Sequence, residues 1–220
     1  MDQAIVIGVG GFTSNVGKTT LMCELLQAFP GWEAIKTTRG HYRSCGKDPH
    51  ACCVSHLLSE EPLVRSGREA TYDAGKDTAR YWDAGASNVH WLIATDNQIE
   101  KGIKEALARV RAQGVFVEGN SFSQFVQTDH FVMVRSGSDK IKSSAREALK
   151  KATSLYFSDN TAALPSAQVP TFTPANLPAL IDYLRTTLEC GDLSPLWSER
   201  SDYSTLLELI PRGKIGRAHV

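Results

Sequence analysis

Short apolar runs recur along the chain, and the segments between them carry apolar residues at three- and four-residue steps. The runs are AIVIGVG (4–10), WEAIKTT (32–38), VHWLIAT (89–95), GVFVEGN (114–120), HFVMVRS (130–136), SLYFSDN (154–160) and VPTFTP (169–174). Near-continuous apolarity of this kind marks strands covered on both faces. The intervening segments 17–29, 76–85, 96–113, 138–152 and 176–189 read as helices. In the third of them Ile99, Ile103, Ala106, Leu107 and Val110 line one face, which predicts docking on a sheet. Asp96 and Ser138 are the expected N-caps of the helices that they precede. The alternation predicts an α/β fold, a mostly parallel sheet of about seven strands with helices on both faces.

Two stretches break this rhythm. From Arg39 to about Asp73 the periodicity is weak over roughly 35 residues, against a usual connection of about 4–6, and such long loops tend to be functional or disordered. After Cys190 the chain continues as a tail, whose last residues, IGRAHV, are what the bases ATC GGA AGA GCA CAC GTC encode. That string matches a widely used sequencing adapter. The organisation expected is therefore one domain over 1–190 with an insertion at about 39–73, a tail over 191–214, and non-native read-through over 215–220.

Composition narrows the partners. With 24 basic and 24 acidic residues the chain has no net charge, so no global field recruits nucleic acid or an anionic membrane. The start, MDQAIVIGVGG, lacks the basic flank of a signal peptide, and no segment approaches the roughly 18–20 apolar residues of a membrane span. A cytoplasmic protein is expected. Five cysteines, an odd number, argue against a disulfide framework.

The first strand runs into GVGGFTSNVGKTTL (8–21), which has the three parts of a phosphate cradle: a buried strand, a glycine-rich turn and a following helix. Gly11, Thr13, Ser14, Asn15, Val16, Gly17, Lys18, Thr19 and Thr20 are its candidate binding residues, with Lys18 reaching the outer phosphates and Thr19 holding magnesium. A dinucleotide turn fits less well, since the third glycine of G-x-G-x-x-G is missing and the second strand ends in Lys36 and not an acid. A plain strand-to-helix turn is the bland alternative. From Gly11 to Gly17 the loop is one residue longer than the standard form, and this Gly-x5-Gly-Lys-Thr spacing resembles the loop of dethiobiotin synthetases among the P-loop NTPases.

Such a site needs a carboxylate at the end of a neighbouring strand. Glu118, at the end of its run, is the first candidate for magnesium, with a solvated strand-end acid as its alternative, and Asp77 in GKDTARY is the second, with a helix N-cap as its alternative role. Lys36 closes the second strand on the same edge and joins Lys18 and Glu118 as a candidate catalytic residue. Asp159 and Asn160 are candidates for base recognition, or form a simple turn. No Asn-Lys-x-Asp element decides between ATP and GTP.

The blocks VIGVGGFTSNVGKTTL, AIKTTRGH, GKDTARYWDAGA and VFVEG follow one another in an order and spacing that resembles the molybdopterin-guanine-dinucleotide biosynthesis protein B family, over about residues 3–135. The resemblance implies a parallel-sheet P-loop fold, magnesium nucleotide binding by Lys18 and Thr19, a role in molybdenum-cofactor or related cofactor biosynthesis, and a homodimer. The loop is longer than that family's usual one, and the cysteine-rich insertion is not a feature of it.

That insertion contains HYRSCGKDPHACCVSH (41–56), in which Cys45, Cys52, Cys53 and His56 are candidate ligands for zinc or an iron–sulfur cluster. Against metal stand the absence of a Cys-x2-Cys pair and the alternative that the cysteines bury a short helix. Arg39, Arg43, Lys47, Arg65 and Arg68 crowd the same stretch and offer to clamp an anionic substrate or to solvate the loop. Two functions follow. One is magnesium-dependent binding of a nucleoside triphosphate with hydrolysis or γ-phosphate transfer to a small-molecule acceptor. The other is a nucleotide-gated adapter that delivers a metal or metal cofactor to a protein partner.

Overall fold

A computed structural model describes residues 4–40, 57–137, 140–159 and 169–189. One sheet of eight strands organises them: β1 (Ile5–Gly11), β2 (Glu33–Arg39), β3 (Leu63–Ser66), β4 (Val89–Ala94), β5 (Gly114–Glu118), β6 (His130–Arg135), β7 (Ser154–Phe157) and β8 (Thr171–Phe172). Their spatial order is β3-β4-β2-β5-β1-β6-β7-β8, and every neighbouring pair is parallel except β3 with β4. The helices are α1 (Lys18–Ala28), α2 (Arg68–Thr71), α3 (Asp77–Asp83), α4 (Ile99–Ala108), α5 (Ser143–Leu149) and α6 (Leu177–Glu189).

The near-continuous apolar runs become strands because each of their two faces meets a different core. In β5, Val115 and Val117 pack into one cluster with Ile103 and Ala106 of α4 and Ala148 of α5. Phe116 between them faces the other cluster, with Leu25 of α1, Tyr81 of α3 and Leu184 of α6. Phe29, Trp32 and Phe116 interlock at one end of this second layer, with ring centroids 4.8–5.5 Å apart.

The eighth strand comes from the stretch that the sequence leaves without rhythm. β3 pairs antiparallel with β4 at the sheet edge, and of its four residues Val64 alone is buried, so neither period could emerge. Two expected caps are corrected. α4 starts at Ile99 with Gln98 at the N-cap position, and the Gln98 side chain accepts a hydrogen bond from the Thr95 N–H at 3.0 Å. Asp96 instead pairs with Arg39. The N-cap of α5 is Lys142, and Ser138 lies outside the described residues.

A buried polar chain fastens β2, β3 and β4. His90 Nδ1 lies 2.8 Å from Ser66 Oγ, and its Nε2–H donates to Glu33 at 2.6 Å. The Glu33 carboxylate also accepts the N–H groups of Arg111 and Ala112, at 2.8 and 2.9 Å, where α4 turns into β5. Burial pushes the Glu33 carboxyl up, but these donors outweigh it and hold it below the usual range. Among the described residues no helix is long and apolar enough to cross a membrane.

Candidate functional site

The chain's direction of travel across the sheet reverses around β1, which lies between β5 and β6. Open α/β sheets gather ligands in the crevice outside such a point, at the carboxyl ends of the strands. The segment 12–17 crosses that edge and delivers the chain into α1 at Lys18. Phe12 is buried, packs into the sheet's core and lies beneath the Arg135 guanidinium, so it anchors the start of the loop.

Two left-handed residues shape the turn: Asn15 with φ 60° and Gly17 with φ 90°. Alternation of this kind turns successive N–H groups toward one concavity, which suits an anion. A Cβ on Gly17 would stand 2.9 Å from the Ser158 Cβ, so β7 closes against the start of α1 at a spot where only glycine fits. The Gly11 backbone is clasped by Asn120, which accepts its N–H at 2.8 Å and donates to its carbonyl at 2.9 Å. The Phe12 N–H goes to the Val134 carbonyl. Donors open to a ligand therefore begin at Thr13: among the described residues the N–H groups of 13–20 have no backbone acceptor. The last of them open a helix whose dipole is equivalent to roughly half a positive charge at this end.

Thr13, Ser14, Asn15, Gly17, Lys18, Thr19 and Thr20 come together here, Val16 anchoring beneath them in the core. Lys18 Nζ leans back to the Thr13 carbonyl at 3.4 Å and has no carboxylate within ion-pair distance among the described residues. Burial, with the charges of Lys36 and Lys142, lowers its pKa against the opposing pull of Glu118. Lys142 donates to Ser14 Oγ at 2.6 Å, and Arg80 reaches within 3.5 Å of Thr20 Oγ1.

Glu118 ends β5 with its carboxylate inside the site. One oxygen accepts from Lys36 Nζ at 2.7 Å; the other accepts from Thr19 Oγ1 at 3.2 Å and from the Tyr81 hydroxyl. Lys36 also donates to Asp77 at 2.7 Å, and so bridges two carboxylates. Burial would lower the Lys36 pKa, but Glu118 and Asp77 outweigh it and raise the net value. Asp77 is in turn pushed up by burial and held down overall by Lys36. Tyr81 is fully buried, and its phenol is pushed well above its ordinary range by burial and by the adjoining Glu118, so it stays a donor. Lys18, Thr19, Glu118, Asp77 and Arg80 line one cleft of about 400 Å³.

Other expected residues fall elsewhere. Asp159 is exposed past the end of β7 and accepts the Gly137 N–H. Asn160, Cys45, Cys52, Cys53 and His56 lie outside the described residues, as do Arg43, Lys47 and everything after Glu189. Among the described residues no group of three or more His, Cys, Asp or Glu is placed to hold a metal ion. Tyr81, Asn120 and Arg80 were not foreseen. Tyr81 and Arg80 sit in the GKDTARY block, which reads only as part of a helix, and Asn120 follows the strand-end acid by two residues.

No protein-family model matches the chain, and no curated protein matches it either. Its structure is similar to that of LpxK from Aquifex aeolicus in complex with ATP, with a TM-score of 0.49 and 16% identity over 77% of this chain and 53% of that one. It is also similar to Bacillus subtilis MobB, a member of the family that the sequence motifs resemble, with a TM-score of 0.44 and 15% identity over 83% of this chain and 97% of that one. The chain thus spans about half the length of LpxK.

Proposed function

We propose that the chain binds a magnesium nucleoside triphosphate in this cleft and hydrolyses it or transfers its γ-phosphoryl group. The observation that carries this reading is the meeting of Thr19 Oγ1 and the Glu118 carboxylate, 3.2 Å apart, beside a half-buried lysine at the N-terminus of a helix. The N–H groups of 13–20 hold phosphate oxygens, and Lys18 offsets charge on the outer phosphates as the transition state develops. A hydroxyl and a carboxylate are the hard oxygen donors that magnesium takes, so Thr19 and Glu118 fit that ion, with Asp77 near by. Magnesium supplies neutralisation of the β- and γ-phosphate oxygens. Lys36 donates to both carboxylates and holds them aimed at the site, and Arg80 stands at its mouth.

A role in molybdenum-cofactor or related cofactor biosynthesis, in the cytoplasm and as a homodimer, is the setting that the motif order supports. The adapter alternative rests on Cys45, Cys52, Cys53 and His56, and nothing in the described residues favours it.

Titration calorimetry with magnesium ATP and magnesium GTP, on the native chain and on Lys18→Ala, tests the reading. Binding of one of them that the variant loses is the expected result. Equal affinity of variant and native chain, or binding of neither nucleotide, overturns it.

A further inference from the structure

A second cavity, of about 740 Å³, adjoins the phosphate cleft and shares Lys36 and Asp77 with it. Its size lies within the span of about 300–1,000 Å³ typical of small-molecule sites. The register of the sheet builds its floor. Lys36 on β2 stands opposite Trp91 on β4, and Trp91 stands opposite Arg65 on β3, so three side chains form one row across three strands on one face. Glu118 extends the row on the other side of Lys36. The row therefore leads from the magnesium and phosphate ligands straight into the second cavity.

The indole is held as a platform, because Trp91 Nε1–H donates to Thr38 Oγ1 at 2.8 Å. The Arg65 guanidinium stands over the indole ring with its carbon 5.8 Å from the centroid, covering part of that face and leaving the rest for an apolar body to pack against beside it. Lys36 is answered by Asp77 and Glu118, whereas Arg65 has no carboxylate partner among the described residues. Arg65 and Trp91 are half-buried on strands, while Glu69, Tyr72, Asp73 and Lys76 are exposed along the rim. Charges at an exposed rim are screened by water and salt, so the half-buried Arg65 sets the floor's preference.

We propose that this cavity takes the second substrate, a small molecule with a flat apolar body that lies on Trp91, an anionic group at Arg65 and its reacting end beside Lys36 and Asp77. The inference rests on the nucleotide reading for the identity of the reaction, but the cavity's selectivity stands on its own residues. Neighbouring strands are about 4.8 Å apart, so the backbone positions of Arg65 and Lys36 are roughly 10 Å apart, which sets the scale of the ligand.

The probe is 4′-hydroxybiphenyl-4-carboxylate, which has a two-ring aromatic body that flattens at little cost and polar ends at about that separation, with its uncharged carboxamide as the control. Calorimetry on the native chain should give binding of the acid and much weaker binding of the amide. Arg65→Gln should weaken the acid at least about tenfold and leave the amide unchanged, and Arg65→Lys should recover part of the loss. Trp91→Phe, which keeps a ring, should weaken both probes together. Lys18→Ala should bind the acid as the native chain does while losing magnesium nucleotide, which separates the two sites. Arg65-dependent acid binding in a chain that binds no nucleotide would sink the functional reading and leave the cavity's assignment standing. No binding of the acid, equal binding of acid and amide, or indifference to Arg65→Gln in a folded variant overturns the proposal.

Discussion

Lys36 and Glu118 stand directly opposite each other across β2 and β5, and their side chains meet at 2.7 Å. Both are largely buried, so the pair is held by geometry and not by chance contact in water. Lys36→Met leaves two carboxylates sharing one cavity without their common cation. Removing one partner of a buried pair costs about 3 kcal/mol or more. Urea denaturation should show that loss at pH 7, and a change below about 1 kcal/mol would mean that water already screens the pair.

Lys18 behaves in the opposite sense. Burial lowers its pKa, so its charge is held at a cost to the empty fold. Lys18→Met should therefore keep or raise the thermal midpoint while nucleotide affinity falls by about 100-fold. A variant that loses both stability and affinity would show that Lys18 is a packing residue.

Gly17→Ala places a Cβ on a left-handed residue and against Ser158. The conformation alone costs roughly 1–2 kcal/mol. The variant should lower the thermal midpoint and weaken nucleotide binding together, whereas Gly31→Ala, also at positive φ (85°) but with open space around its Cβ, should leave nucleotide binding untouched.

Acid should unfold the protein through Glu33 and Asp77. In the unfolded chain these carboxyls take up protons near 4.5 and 3.8; in the folded chain both are held lower. The unfolded state then binds more protons between the folded and unfolded values, so their contribution is full above the unfolded values and is lost as pH falls through the folded ones. Glu33→Gln should flatten the fall of the thermal midpoint below about pH 5. An acid limb as steep as that of the native chain would count against Glu33.

The seven parallel strands were legible because burial on both faces leaves near-continuous apolarity, as in AIVIG and VFV. β3 was not, since an edge strand with one buried residue has no pattern to show. In the site, Gly17-Lys18-Thr19 and Glu118 were legible one by one. Their meeting was not, because it depends on β5 inserting between β1 and β2, a choice that topology makes and local sequence does not. Tyr81 has the helical spacing of a core residue, and its hydroxyl bond to Glu118 appears only once α3 is seated against the sheet. Asp96 carried a cap signal, but the helix starts two residues later at Gln98, whose side chain turns back to the Thr95 N–H, while Asp96 pairs with Arg39.

Among the described residues the two outermost strands are short: four residues in β3 and two in β8. Each edge offers few unpaired N–H and C=O groups along its length, and β3 also carries Arg65. A strand offered by a second copy would find little of β3 or β8 to pair with, so neither of these two strands is a ready template for continuing the sheet from one molecule into the next.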